Sequence, residues 1–215
     1  MEPHTVLRKQ ADWHRLHFYQ KSNALYLMTA VFTHRFLPPH GDRTVDQMVQ
    51  AARSGKQNIV EGTADGVTST EMELKLLNVA RASIQELRED YADYLSTHGD
   101  RQWRPNHPRY DSMLRFCRRH NSAQDYQPFL NRWSDEEMAN VALTLCRQTD
   151  KMMTTYLKGL EQRFVTEGGI KERMHAARTG YRDGVDRRLW ELESENQALK
   201  AENERLRQQL NLPPR

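Results

Sequence analysis

Apolar residues recur along most of the chain at intervals of three and four, and no two-residue alternation competes with them, so the predicted elements are helices throughout. A first helix is predicted over about Leu7 to Phe36, where Trp13, Leu16, Phe18 or Tyr19, Leu25, Tyr26, Met28, Val31 and Phe32 trace one stripe; Pro38-Pro39 stops it. A second, capped by Asp42 or Thr44, carries Val45, Met48, Val49, Ala52, Ile59 and Val60. A third opens at Thr68-Ser69-Thr70-Glu71, which has capping-box spacing, and runs to about Tyr94 with Leu74, Leu77, Ile84, Leu87, Tyr91 and Tyr94 in phase. Gly99, Pro105, Asn106 and Pro108 then break the pattern, leaving a connection that holds one short helix at about Tyr110 to Arg119. Ser134-Asp135-Glu136-Glu137 starts a fourth long helix with Met138, Val141, Leu143 or Leu145, Thr149, Met152, Tyr156 and Leu160, ended by Gly168-Gly169. The predicted fold is all-α: an antiparallel four-helix bundle with a C-terminal coiled-coil helix.

The second helix contains the stretch around which the others are expected to gather. Ala51, Ala52, Gly55, Ile59 and Gly62 share a face at helical spacing, and small side chains there let backbones approach closely. Glu61-Gly62 is read as the end of this helix: Gly62 and Gly66 can take the left-handed conformation, Gly62 is expected to, and Thr63, Asp65, Thr68 and Ser69 supply turn and cap chemistry. An acid at a helix C-terminus opposes the dipole, so Glu61 is expected to pair with a base or cap a neighbouring helix rather than to catalyse.

From Leu189 the period tightens to heptads, with Leu189, Asn196, Asn203 and Leu210 at a and Leu192, Leu199 and Leu206 at d. In a parallel pair the g-to-e contacts join Arg188 to Glu193, Glu195 to Lys200 and Glu202 to Arg207, all of opposite sign, and asparagines at a favour two strands in one register. These seven core residues are the candidate oligomerisation site. The domain plan is therefore residues 1–165 as bundle with a basic insertion at about 98–133, residues 166–184 as a linker with a short helix, and residues 185–212 as coiled coil.

Composition narrows the function. Hydrophobic residues make up 37% and charged residues 28%, a balance suited to long thin helices or to a subunit whose core partners complete. No apolar run reaches membrane-spanning length and the first residues lack a signal-peptide core, so a cytoplasmic protein without a membrane partner is expected. Cys117 and Cys146 fit a reducing compartment and define neither a disulfide framework nor a zinc site.

The formal net charge is +3, yet residues 181–215 hold seven basic and seven acidic side chains, so the excess lies in the body. Its densest cluster is Arg101, Arg104, Arg109, Arg115, Arg118 and Arg119, interleaved with Trp103, His107, Tyr110, Phe116 and His120. Guanidinium groups bridge phosphate oxygens and rings stack on bases, so these six arginines are the candidate nucleic-acid-binding residues, RNA or DNA. The competing reading is a solvated loop whose arginines cap helix ends and pair with Asp100 and Asp111.

The motif residues Ala52, Ser54, Asn58, Ile59, Glu61 and Gly62, followed by Leu76, Ala80, Ser83, Glu86 and Leu87, with Leu25-Tyr26 and Phe32 upstream, resemble the four-helix-bundle family. This family comprises proteins encoded in intervening sequences of ribosomal RNA genes and the accessory variability determinant of diversity-generating retroelements. The resemblance covers about residues 18 to 97; beyond them the long basic connection, late fourth helix and zipper depart from the short members, so the chain resembles the longer, suffix-bearing branch. It implies a homo-oligomer, often a pentamer, and in the retroelement members a basic surface that engages nucleic acid and a reverse transcriptase.

Candidate chemistry is sparse. His14 and His17 lie one turn apart without a third metal ligand at fixed spacing, and read as surface or packed histidines. Cys117 near His120 resembles a nucleophile and base only in composition. With no phosphate-binding loop, dinucleotide fingerprint or zincin motif, no enzyme, cofactor or metal is expected. Two classes remain: a non-enzymatic nucleic-acid-binding adaptor, which the resemblance implies as an accessory to a reverse transcriptase, and a protein-interaction scaffold that oligomerises through the bundle and recruits a partner through the zipper.

Overall fold

The computed structural model describes residues 7, 11–38, 43–99 and 101–210. Among them regular structure is entirely helical: α1 (His17–Phe36), α2 (Arg43–Asp65), α3 (Thr70–Thr97), α4 (Tyr110–Arg119), α5 (Ala123–Tyr126), α6 (Asp135–Glu167) and α7 (Ile170–Gln209). Residues 7–169 form one compact unit and residues from Ile170 onward belong to a second.

The first helix starts later than its apolar stripe suggests. Asp12 accepts a hydrogen bond from the His14 backbone N–H at 3.1 Å, closing a 3₁₀ turn over Trp13–Arg15, and Leu16 is extended before α1 begins. At its other end Leu37 takes φ −105°, ψ 154°, the extended conformation that a following proline imposes. The Asp42 cap lies outside the described residues; Thr44 is inside α2 rather than before it.

Within the body α2 packs on α3, α3 on α6, α6 on α1 and α1 on α2, a closed cycle of contacts. Phe32 is fully buried at its centre, with the Phe36, Tyr91 and Tyr94 rings at centroid distances of 5.4, 5.1 and 4.9 Å. Polar pairs tie the same helices together: Thr29 to Tyr91, Ser54 to Ser83, Arg81 to Asp150, and the Tyr94 hydroxyl to Asp135, each between 2.7 and 2.9 Å.

The small-residue face of α2 does what its spacing implies, for Ala51, Ala52, Gly55, Ile59 and Gly62 are all buried. Its partner is α3 of the same chain: a Cβ on Gly62 would lie 3.1 Å from Leu76 Cβ, and one on Gly55 2.8 Å from Ile84 Cδ1. The face is thus consumed internally. It also corrects the reading of Gly62 as a left-handed terminus, because α2 continues to Asp65 and the positive-φ glycines among the described residues are Gly99 and Gly168. Gly62 is required by proximity, not by backbone conformation.

Both predicted caps exist, one of them shifted. Ser69, rather than Thr68, caps α3 by accepting from Met72 N at 3.1 Å, so the position that a capping box gives to Glu is methionine. Ser134 forms the full box with Glu137, and Gly168 at φ +71° ends α6. The short α4 has its predicted bounds, and α5, capped by Ser122 and Asp125, was not foreseen. In the second unit α7 runs without interruption through Gly180 and Gly184, where a linker with a short helix was expected.

Candidate interaction surfaces

The first turn of α6 carries three acids, and each holds a different residue of the arginine-aromatic connection. Arg101 donates to Asp135 at 2.6 Å, the Trp103 indole N–H donates to Glu136 at 2.6 Å, and Arg109 pairs with Glu137. Asn140 completes the clasp, accepting from Trp103 N at 2.7 Å and donating to the Arg101 carbonyl at 3.0 Å. Burial alone would push the Asp135 carboxyl up, but hydrogen bonds from Arg101 and Tyr94 bring it below its usual range. Trp103 is buried, stacks on His107 at 4.6 Å and lies beneath Arg109 at 5.8 Å. Two of the six candidate arginines, Arg101 and Arg109, therefore have structural partners, on α6 rather than Asp111. Arg104 is exposed but engaged in a contact as well.

The remaining three stand apart. Met113 and Cys117 bury one side of α4, and Arg115, Arg118 and Arg119 project from the other, exposed and without an ion pair among the described residues. Arg118 and Arg119 also sit in the last turn, where positive charge complements the helix dipole. The structure thus splits the six into a clasp and an outward triplet. Beneath α4, Phe116 meets Tyr126, Phe129 and Trp133 edge-on, so these rings fill the packing between α4 and the segment after it.

The buried end of α4 is closed by a lysine. Lys21 of α1 is 3% exposed and donates from Nζ to the carbonyls of Cys117 at 2.5 Å and His120 at 3.0 Å, while the Tyr126 hydroxyl donates to His120 O at 2.7 Å. These are terminal helix carbonyls that otherwise lack partners. Burial lowers the Lys21 pKa to about 8, with Cys117 and Asp125 opposing the shift. Burial likewise pushes the Cys117 thiol up to about 12, the reverse of what a nucleophile needs, and His120 Nδ1 lies 2.9 Å from Phe116 O. His14 and His17 face Asp12 and Gln20 respectively, and no group of three or more His, Cys, Asp or Glu among the described residues is placed to hold a metal. Glu61 is exposed and has no ion-pair partner among the described residues, so neither expected role for it is seen.

A feature that sequence reasoning missed lies between α2 and α3. Asp46, Gln47, Gln50, Ala51, Ser54, Ser83, Glu86 and Asp90 line an open groove of about 600 Å³. Burial raises the Asp90 pKa, and the neighbouring charges of Glu86 and Asp93 raise it further. The spacing of Glu86, Asp90 and Asp93 along one side of α3 was the available signal. Of the residues that carry the resemblance, Ser54, Ser83 and Glu86 converge here; Ala52, Ile59, Gly62, Ala80 and Leu87 are instead buried packing positions, and Asn58 donates to Ser54 O at 2.9 Å.

The last surface is α7 itself. It has no buried residue, and the candidate oligomerisation residues Leu189, Leu192, Asn196, Leu199, Asn203, Leu206 and Leu210 are all exposed. No helix among the described residues is long and apolar enough to cross a membrane. Comparison with protein-family models, with curated proteins and with solved structures finds no match for the chain.

Proposed function

We propose that the protein is a non-enzymatic adaptor: an antiparallel four-helix bundle of α1, α2, α3 and α6 carried by a C-terminal coiled-coil helix through which it assembles. The observation that carries this reading is the exposure of the apolar stripe along α7. Its four leucines at heptad positions are 46% to 59% exposed, and Leu210 just beyond it 68%, whereas a helix stable in water hides such a stripe against a partner. Replacing Leu192, Leu199 and Leu206 together by Asp tests it. Full-length protein isolated from its own cells is expected in a species heavier than one chain, and the triple variant as a single chain. A wild-type chain that is single in both the purified and the cell-derived state overturns the reading.

A second reading, nucleic-acid binding, is favoured by the outward triplet on α4. Arg115, Arg118 and Arg119 lie within about one turn of one another with no acid among the described residues paired to them, the arrangement that a phosphate backbone engages. Converting all three to Gln is expected to weaken RNA or DNA binding and to lower the log–log salt slope by about 0.7 to 0.9 per lost contact. Circular dichroism checks that the helices survive. Wild-type affinity and slope in the triple variant exclude this surface.

A further inference from the structure

We infer that the occupant of the α7 seam is a second copy of this chain, wound parallel and in register as a two-stranded coil, and that the seam begins at Met174 rather than at Leu189. The inference rests on the assembly reading above and narrows it to one partner and one geometry.

Charge and the two buried-type asparagines select the geometry. In a parallel, in-register pair Arg188 meets Glu193, Glu195 meets Lys200 and Glu202 meets Arg207 across the seam, three attractions on each side. Reversing one helix sets g against g and e against e, so that with Asn196 level with Leu199 Glu195 faces Glu202 instead of Lys200. The asparagines agree. In the parallel pair Asn196 faces Asn196 and Asn203 faces Asn203, so each amide finds an amide. An antiparallel pair, or a slip by one heptad, sets asparagine against leucine and leaves a polar group unsatisfied in an apolar layer. A foreign helix would have to reproduce both the charge order and the two asparagine layers, whereas a second copy carries them by identity. Asparagines at a also disfavour strands beyond two, so the coil predicts two chains rather than five.

The upstream limit follows from exposure and spacing. Between Leu189 and Leu210 there are seven core layers, two of them asparagine, which is short for an independent coil. Met174, Tyr181 and Val185 are 53%, 73% and 46% exposed on the same uninterrupted helix. They continue the seam: Met174 to Tyr181 is a heptad, and Tyr181, Val185, Leu189 and Leu192 follow at intervals of four, four and three, an eleven-residue step. Eleven residues over three turns under-twist a left-handed supercoil locally without moving the seam off its face. The coil therefore has a heptad-wound distal part and a straighter stretch around Tyr181 to Leu192.

Site-directed cross-linking of the full-length protein tests both parts. Leu192→Cys at a d position is expected to give a symmetric covalent dimer under mild oxidation, and Tyr181→Cys likewise. The wild type, whose Cys117 and Cys146 are buried, gives none. Sedimentation equilibrium of the unoxidised wild type is expected to return two chains. A single-chain mass without cross-linking of purified Leu192→Cys overturns the proposal. If the protein from its own cells is nevertheless heavier than one chain, the assembly reading stands and the partner is a different protein. A mass of three or more chains also overturns it. Cross-linking at Leu192→Cys without cross-linking at Tyr181→Cys removes the upstream extension. An unchanged thermal transition of the body shows that neither cysteine acts by unfolding.

Discussion

The body and α7 are both helical, but they use apolar residues in opposite ways. In residues 7–169 each stripe ends against another helix of the same chain, so that Leu25, Met28, Phe32, Ile84, Leu87 and Leu95 are fully buried. In α7 the leucines are as regularly spaced and none is buried. Periodicity alone therefore does not say whether a helix is core or connector. What separates the two here is the width of the stripe. The body helices bury broad faces, up to the nine consecutive buried residues from Met138 to Cys146, whereas α7 offers only the narrow a and d seam that one similar helix covers.

Four perturbations sharpen that contrast, in order of falling effect. Phe32→Ala, in the ring cluster, should cost the body about 3 to 5 kcal/mol by urea unfolding, while Leu199→Ala in α7 should leave that transition where it was. Equal effects would mean that the units do not unfold independently. Gly62→Val should cost about 1 to 3 kcal/mol through overpacking against Leu76 and Leu77, and Gly159→Val, which meets nothing within 4 Å, should be neutral or slightly stabilising. If both behave alike, closeness of α2 to α3 is not what selects glycine at position 62.

The third perturbation is pH. Folding lowers the Lys21 pKa from 10.5 to about 8, so between these values the unfolded chain holds more protons and stability attributable to Lys21 rises with pH. The cost is complete below about 8 and gone above about 10.5. Unfolding midpoints of wild type and Lys21→Met from pH 7.5 to 10 should converge or diverge by up to about 1 kcal/mol per pH unit, with the wild type gaining. Parallel profiles would show that the ammonium is not desolvated. The smallest effect belongs to the clasp. Arg109 is well exposed, so Arg109→Gln should cost under about 1 kcal/mol and less in high salt, a difference detectable in thermal melts at two ionic strengths.

Helices whose signals are local were legible. Tyr110 to Arg119, the Ser134 box, the Gly168 stop and the small face of α2 all depend on residues within a turn or two of each other. What escaped depended on the third dimension. Gly62 is ambiguous in a sequence, because a helix end and a close helix crossing both demand glycine. Arg101 and Arg109 find Asp135 and Glu137 across 34 and 28 positions, and a run of basic residues looks the same whether it grips another helix or faces solvent. Lys21 reads as a surface residue in an apolar stripe, since its acceptors are carbonyls, which every sequence has everywhere. The acidic groove joins residues from two helices, and only its α3 side, with Glu86 and Asp90 at helical spacing, left a trace in the sequence.

The cycle of helix contacts also sets a timetable for synthesis. α2 and α3 are joined by a four-residue turn and can pack on each other as soon as both emerge. α1 has no such neighbour on its other side, because α6 begins at Asp135, about a hundred residues after Phe36. At ~5–20 residues per second the ribosome needs roughly 5–20 s to make that stretch. Throughout this interval the side of α1 meant for α6 stays open. The nascent chain thus offers a defined, transient apolar surface to whatever chaperone meets it, and slow codons between α4 and α6 would lengthen the exposure.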